Sequence, residues 1–136
     1  FTQLASHGEK AYFQVMKGLT VILGASPLPE RYAYLAYRTL SEKGFPFFLV
    51  NPKYQEIEGH PVVPSLSDVP GPVGTVSVYL APDRQRAVVE ELVALRPGRV
   101  IFNPGSENPA VQTQLEDAGI SCLQACTLVL LRTGQF

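Results

Sequence analysis

The feature that most constrains this chain is its regular alternation of short apolar runs with helical patterns. Most of the runs are apolar at successive positions, which is typical of strands covered on both faces of a parallel sheet. The alternation therefore predicts an α/β domain with a five-stranded parallel sheet. The five predicted strands, each bounded by Gly, Pro or Asn, are LTVIL (19–23), FPFFLV (45–50), TVSVYL (75–80), RVIF (99–102) and ISCL (120–123).

Helices are predicted between these strands. Residues 32–43, 82–96 and 109–118 carry apolar positions at helical spacing, and Pro, Asn or Gly marks their ends. A further amphipathic helix is expected around residues 9–16. The proline-rich crossover 51–73 has room for only a short helical turn, at residues 65–67. The expected fold is a Rossmann-like three-layer α/β/α domain.

The length of 136 residues and a hydrophobic content of 46% indicate one domain with a substantial core. We expect an N-terminal helix within residues 1–17, a Rossmann-like core over 19–126 and a C-terminal tail over 127–136. The tail segment TLVLL (127–131) is expected to form an edge strand or a packing segment. Burial of that segment against a second subunit, in a homodimer, is left open.

The composition excludes several classes of partner. The formal net charge is −1, so no basic surface is expected to collect nucleic acid. No apolar run approaches the roughly 18 to 20 residues of a membrane-spanning helix, and a cytoplasmic location is expected. Cys122 and Cys126 would lie about 13 Å apart in an extended segment, beyond disulfide reach, and are predicted to be reduced. His7 and His60 lack partners in the sequence pattern and are predicted to be ordinary surface or loop residues.

Ligands of parallel α/β sheets bind beyond the carboxyl ends of the strands, where the strand order reverses. The first strand runs into GASPLPER (24–31), which leads into a helix whose N-terminus favours an anion. Gly24 permits a tight turn there, Ser26 offers a hydroxyl, and Arg31 can reach a phosphate. The loop lacks two glycines of the GxGxxG pattern, which predicts a shallower diphosphate site than in a typical dehydrogenase.

The end of the second strand discriminates between nucleotides. Domains that bind NAD place an Asp or Glu there to hold the ribose 2'-hydroxyl. This chain has Asn51, Pro52 and Lys53 instead, and the first carboxylate is at Glu56. Lys53 would attract a phosphate on a ribose, either the 2'-phosphate of NADP or the 3'-phosphate of coenzyme A.

Three segments carry a family resemblance: VILGASPLPERY (21–32), GFPFFLVNPKYQEIEGHPVVPSLSDVP (44–70) and LRPGRVIFNPGSENPAVQTQLEDAGISCLQAC (95–126). Together they resemble the small bacterial and archaeal CoA-binding proteins, whose domain is similar to that of the succinyl-CoA synthetase α subunit and related acyl-CoA ligases. The resemblance implies the ligand, coenzyme A or an acyl-CoA, and assigns residues to it by loop. It places Gly24, Ala25, Ser26 and Arg31 at the diphosphate, Asn51, Pro52 and Lys53 at the 3'-phosphate, Leu80, Ala81 and Pro82 at the adenine, and Pro104, Gly105 and Asn108 beside the pantetheine.

The expected function is binding of coenzyme A or an acyl-CoA without catalysis. No nucleophile with a base, no paired carboxylates and no metal-ligand set stand out in the sequence. Ser26 lacks the surrounding GxSxG elbow of a hydrolase nucleophile. Two alternatives are left open, an NADP-binding reductase-type domain and a ligand-sensing dimeric interaction module.

Overall fold

The computed structural model describes residues 18–136. The expected N-terminal helix (residues 9–16) and His7 lie outside these residues. The strands are β1 (Thr20–Leu23), β2 (Phe47–Val50), β3 (Glu56–Ile57), β4 (His60–Val63), β5 (Thr75–Val78), β6 (Arg99–Phe102) and β7 (Cys122–Gln124). The α-helices are α1 (Tyr32–Glu42), α2 (Val89–Leu95), α3 (Pro109–Asp117) and α4 (Thr127–Arg132). Short 3-10 helices cover Leu66–Asp68, Pro82–Arg84 and Arg86–Val88.

One sheet connects the seven strands in the order β3-β4-β2-β1-β5-β6-β7. All pairings are parallel except that of β3 with β4. The five predicted strands are all present and parallel, but the prediction of a five-stranded sheet is wrong. The crossover 51–73 adds the hairpin β3–β4, which the prolines of that segment concealed because proline weakens a strand pattern. Pro61 is tolerated because β4 continues the sheet beside β2 only through Val62 and Val63.

The core forms two apolar layers, one on each face of the sheet. Val21 and Leu23 of β1 face a layer that contains Leu92 of α2 and Leu115 of α3. Ile22, between them, faces the opposite layer. That second layer contains Ala33, Ala36, Tyr37 and Leu40 of α1 and Leu131 of α4. The predicted three-layer arrangement is therefore present, with α1 and α4 on one face and α2 and α3 on the other.

Two predicted segments differ in the structure. The helix predicted over residues 82–96 is divided, because two 3-10 helices precede α2. The tail segment 127–131 is a helix, so the edge-strand alternative is wrong and the packing alternative is correct. Thr127, Leu128 and Leu131 are buried at helical spacing, which docks α4 on the sheet. None of the helices within residues 18–136 is long and apolar enough to cross a membrane.

Candidate functional site

A large cleft lies where the strand order reverses. The chain passes from β1 outward to β2 on one side and returns to β5 on the other side of β1. The loops after β1, β2, β5 and β6 meet at the carboxyl edge around a cleft of about 1480 Å³. We call them the first loop (24–31), the second loop (51–54), the third loop (79–88) and the fourth loop (103–108).

Most of the sequence-predicted site residues line this cleft. Those that do are Gly24, Ala25, Ser26, Arg31, Asn51, Pro52, Lys53, Leu80, Ala81, Pro104 and Gly105. Pro82 and Asn108 instead line a smaller cavity of about 560 Å³ beside α2 and α3. Asn108 caps α3 there, since its Oδ1 accepts from the Val111 amide at 3.2 Å and its Nδ2 donates to the Pro82 carbonyl at 3.2 Å.

The first loop turns tightly at Gly24. This glycine has a φ of +95°, and a Cβ built on it would lie 3.2 Å from the backbone carbon of Tyr79. The Gly24 and Ala25 amides both donate to the Val50 carbonyl, at 3.0 and 3.1 Å. Because the N–H groups of these two residues bond to β2, they are not available to a ligand. Gly24 and Ala25 can therefore only let a ligand come close to the backbone.

Polar groups for an anion come from the later part of the first loop. The Ser26 hydroxyl accepts from the Leu28 amide at 3.1 Å and keeps its own proton to donate. Arg31 occupies the N-cap position of α1, and no side chain caps this eleven-residue helix. The free amides of its first turn and the helix dipole make the N-terminus of α1 favourable for a negative charge at the cleft.

The second loop is fastened to the first by Asn51. Its Nδ2 donates to the Ala25 carbonyl at 2.8 Å, and its Oδ1 accepts from the Lys53 amide at 2.8 Å. Asn51 thus uses its side chain to shape the loop, whereas the Lys53 side chain is exposed at the cleft. Lys53 Nζ lies 5.5 Å from the centre of the Tyr54 ring.

Four basic residues line the cleft: Arg31, Lys53, Arg84 and Arg132. Within residues 18–136 the ion pair present is Arg38–Glu58, so none of the four is paired with a carboxylate of that region. Three carboxylates, Glu30, Asp83 and Glu91, also line the cleft. The lining of the cleft therefore carries one more basic than acidic side chain, in a chain with a net charge of −1.

Sequence reasoning missed the buried amides that hold the third and fourth loops. Gln85 is 1% exposed, and its Nε2 donates to the carbonyls of Leu80 at 3.0 Å and Ser106 at 2.6 Å. Asn103 Nδ2 donates to Ser77 Oγ and the Val78 carbonyl, both at 2.9 Å. Asn103 gave a positional signal in the sequence, because it directly follows a predicted strand. Gln85 gave none, because a glutamine within a helical pattern is normally exposed.

Helix α4 contributes a wall of the cleft that the sequence did not reveal. Cys126, Leu128, Val129 and Arg132 all line it. The Thr127 amide donates to Asn103 Oδ1 at 2.8 Å, and the Thr127 and Ser77 hydroxyls share a hydrogen bond of 2.7 Å. These bonds fix the start of α4 beside the end of β6. Cys126 and Cys122 are free thiols, as predicted.

Burial also affects Tyr79, at the start of the third loop. Its hydroxyl is buried and has no hydrogen-bond partner within the described part of the chain. Desolvation raises the pKa of Tyr79 to about 12, so the phenol stays neutral at physiological pH.

No group of three or more His, Cys, Asp or Glu residues in the described region is arranged to hold a metal ion.

The hairpin β3–β4, which follows the second loop, is tied to α1 by Glu58. Tyr34 and Tyr37 donate their hydroxyl protons to this carboxylate, and Arg38 Nη1 lies 3.1 Å from its Oε1. Glu58 has a φ of +50°, strained for a residue other than glycine. Hydrogen bonds from Tyr34 and Tyr37 lower the pKa of Glu58, and burial raises that of Tyr37 to about 12.

The comparison with protein families decides the class of this domain. Residues 19–132 match the family model described as the CoA binding domain. The chain belongs to the CoA-binding domain family. Its resemblance to CoA-binding proteins, carried by residues 21–32, 44–70 and 95–126, is thereby confirmed.

Relatives of this CoA-binding domain extend the comparison. A crystal structure of an uncharacterized protein is 39% identical, with a TM-score of 0.81, over 88% of this chain and 98% of that chain. The uncharacterized protein YneT of Bacillus subtilis (strain 168) is 29% identical over 84 residues. Those residues span 62% of this chain and 62% of YneT.

A larger enzyme shares the fold. The dinucleotide-forming acetyl-coenzyme A synthetase 1 of Ca. Korarchaeum cryptofilum, in complex with phosphate and ADP, matches 79% of this chain with a TM-score of 0.69. The sequence identity is 19%, and the match covers 25% of the synthetase chain. At that identity the likeness concerns the fold alone.

Proposed function

We propose that this CoA-binding domain binds coenzyme A, or an acyl-CoA, through its 3'-phospho-ADP part and does not catalyse a reaction on it. The observation that carries the proposal is the unpaired Lys53 at the end of β2, in the same cleft as the uncapped N-terminus of α1. A ribose phosphate and a diphosphate are the anions that these two positions suit.

The loops divide the ligand between them. Ser26, Arg31 and the N-terminus of α1 bind the diphosphate, while Gly24 and Ala25 let it approach the backbone. Lys53 binds the 3'-phosphate, and the turn formed by Asn51 and Pro52 presents the lysine. Leu80 and Ala81 border the adenine, with Pro82 behind them.

The pantetheine arm leaves the cleft on the side of the fourth loop. Pro104 and Gly105 line that side, and Asn108 supports the loop from the second cavity. Gln85 and Asn103 are also part of this support, because they fix the backbone of the third and fourth loops before any ligand arrives. A cleft held open in this way loses little entropy on binding.

Calorimetric titration with coenzyme A, 3'-dephospho-CoA and NADPH tests the proposal. We expect coenzyme A to bind about tenfold more tightly than 3'-dephospho-CoA, because one charge-assisted phosphate contact is removed. Lys53→Ala should abolish that difference. Lys43→Ala, which removes an exposed charge at the far end of α1, should leave it intact.

The outcomes separate the alternatives. Equal affinity for coenzyme A and 3'-dephospho-CoA would contradict the role of Lys53, and absence of binding to both would contradict the proposal. Tighter binding of NADPH would favour the reductase-type domain, since Lys53 suits a 2'-phosphate as well. Light scattering with and without coenzyme A would identify a ligand-dependent dimer.

A further inference from the structure

The large apolar side chains that are exposed within residues 18–136 gather at one place. They are Leu28, Tyr32 and Val129, with 40%, 62% and 52% of their surfaces accessible. Exposed apolar residues scattered singly are normal in proteins. All three, however, line the cleft of the proposed CoA site. We call them the apolar rim.

The fold brings the rim together from two elements. Leu28 and Tyr32 flank Arg31 at the start of α1, and Val129 lies in the first turn of α4. Helices α1 and α4 pack against each other on the same face of the sheet. The buried Leu128, next to Val129, also lines the cleft and extends the apolar wall.

Within the rim, Val129 lies towards the end of the cleft opposite Lys53, whereas Leu28 and Tyr32 lie beside Arg31 at the start of α1. The bond from Thr127 to Asn103 fixes the start of α4 beside β6, whereas Lys53 follows β2, on the other side of β1. Under the proposed function, the pantetheine and its thiol leave on the β6 side. An apolar surface at that end contacts whatever group the thiol carries.

The chemistry of the rim and the size of the cleft indicate which group this is. The volume of about 1480 Å³ exceeds the roughly 300–1,000 Å³ of ordinary small-molecule pockets, so the cleft has room for a ligand as large as an acyl-CoA. Three side chains are too few for a stable subunit interface, which buries about 800 Å² on each partner. Arg31 and Arg132 border the rim. The stem of an arginine can cover apolar surface while its charged head stays in water, so these two residues are compatible with an apolar subsite.

We infer that the apolar rim is a subsite for an aliphatic acyl chain, so that the preferred ligand is a medium-chain acyl-CoA and not free coenzyme A. This inference rests on the proposed function, because the nucleotide must anchor the thioester for the chain to reach the rim. The chain would lie across Tyr32, Leu128 and Val129, which lose contact with water as it binds.

Calorimetry with coenzyme A, acetyl-CoA and octanoyl-CoA tests the inference. We expect octanoyl-CoA to bind at least tenfold more tightly than acetyl-CoA, because its six additional carbons bury apolar surface. Val129→Ser should reduce this preference several-fold and leave the affinity for free coenzyme A unchanged. Val89→Ser, a matched change at the second cavity, should preserve the preference.

The outcomes distinguish the subsite from the proposed function. If coenzyme A binds and octanoyl-CoA binds no more tightly than acetyl-CoA, the acyl subsite is wrong and the proposed function stands. If none of the three ligands binds, both fail. A dimer in light scattering that Val129→Ser dissociates would show that the rim is a subunit interface, which would also overturn the inference.

Discussion

At the scale of single residues, side-chain amides fasten the loops of the cleft to one another. Asn51 joins the first and second loops, and Gln85 joins the third and fourth. Asn108 adds a second link between the third and fourth loops. Each amide bonds to a backbone carbonyl, so the loop conformation is set by hydrogen bonds within the protein.

Gly24 allows the first and third loops to approach closely, and this closeness can be tested. Gly24→Ala would put a side chain on a backbone with a φ of +95°. Its Cβ would also lie 3.2 Å from atoms of Tyr79 and Leu80. We expect a loss of about 2–4 kcal/mol in the free energy of unfolding, measured with urea. Gly44→Ala is the control, with a φ of +77° and no atom near its Cβ. A loss no larger than that of the control would contradict the close approach.

At the scale of elements, buried polar contacts hold α4 in place as a wall of the cleft. Thr127 is fully buried, and its amide and hydroxyl bond to Asn103 and Ser77. The apolar contribution of the helix comes from Leu128 and Leu131. A six-residue helix has little stability of its own, so these contacts decide whether α4 forms the wall of the cleft.

Asn103→Ala should release α4 more than it unfolds the domain. The change leaves the buried Ser77 hydroxyl and Thr127 amide with fewer partners, at a cost of about 2–3 kcal/mol. Relative to the unchanged protein, amide hydrogen exchange in Asn103→Ala should become faster in residues 127–133 by a larger factor than in β1. Asn108→Ala, which removes a helix cap elsewhere, should cost about 1 kcal/mol and leave α4 protected. Unchanged exchange of α4 in Asn103→Ala would contradict this role.

The hairpin β3–β4 is held by a contact that depends on pH. The pKa of Glu58 is lower in the folded protein than its usual value of 4.5, first because of the hydrogen bond from Tyr34. This contribution to stability is present above pH 4.5 and is lost as the pH falls through the lowered pKa. Glu58→Gln should therefore flatten the acid decline of stability, measured by urea unfolding between pH 6 and pH 3.

The control for this prediction lies in the same hairpin. Glu56→Gln removes an equal charge from β3, at a carboxylate that makes no hydrogen bond to α1. It should leave the acid decline close to that of the unchanged protein. If the two variants had the same effect, the overall charge and not the Glu58 contact would account for the decline.

At the scale of the whole molecule, hydrophobic patterning predicted β1, β2, β5, β6 and β7 because most of these strands are apolar on both faces. Lys53 and the first loop could be placed at the carboxyl edge because that edge follows from parallel order. The hairpin β3–β4 escaped prediction because Pro61 interrupts its pattern. Helix α4 escaped because TLVLL fits a strand equally well, and only tertiary packing decides between them.

Mapping coenzyme A onto the amide resonances of the isotope-labelled protein by NMR tests the account most directly. We predict that chemical-shift changes concentrate in residues 24–33, 51–54, 79–81 and 103–106, at the carboxyl edge of the sheet. The loops at the opposite edge, residues 44–46 and 71–74, should remain unchanged. Changes centred on those opposite loops, or no changes at saturating coenzyme A, would contradict a CoA site in the cleft.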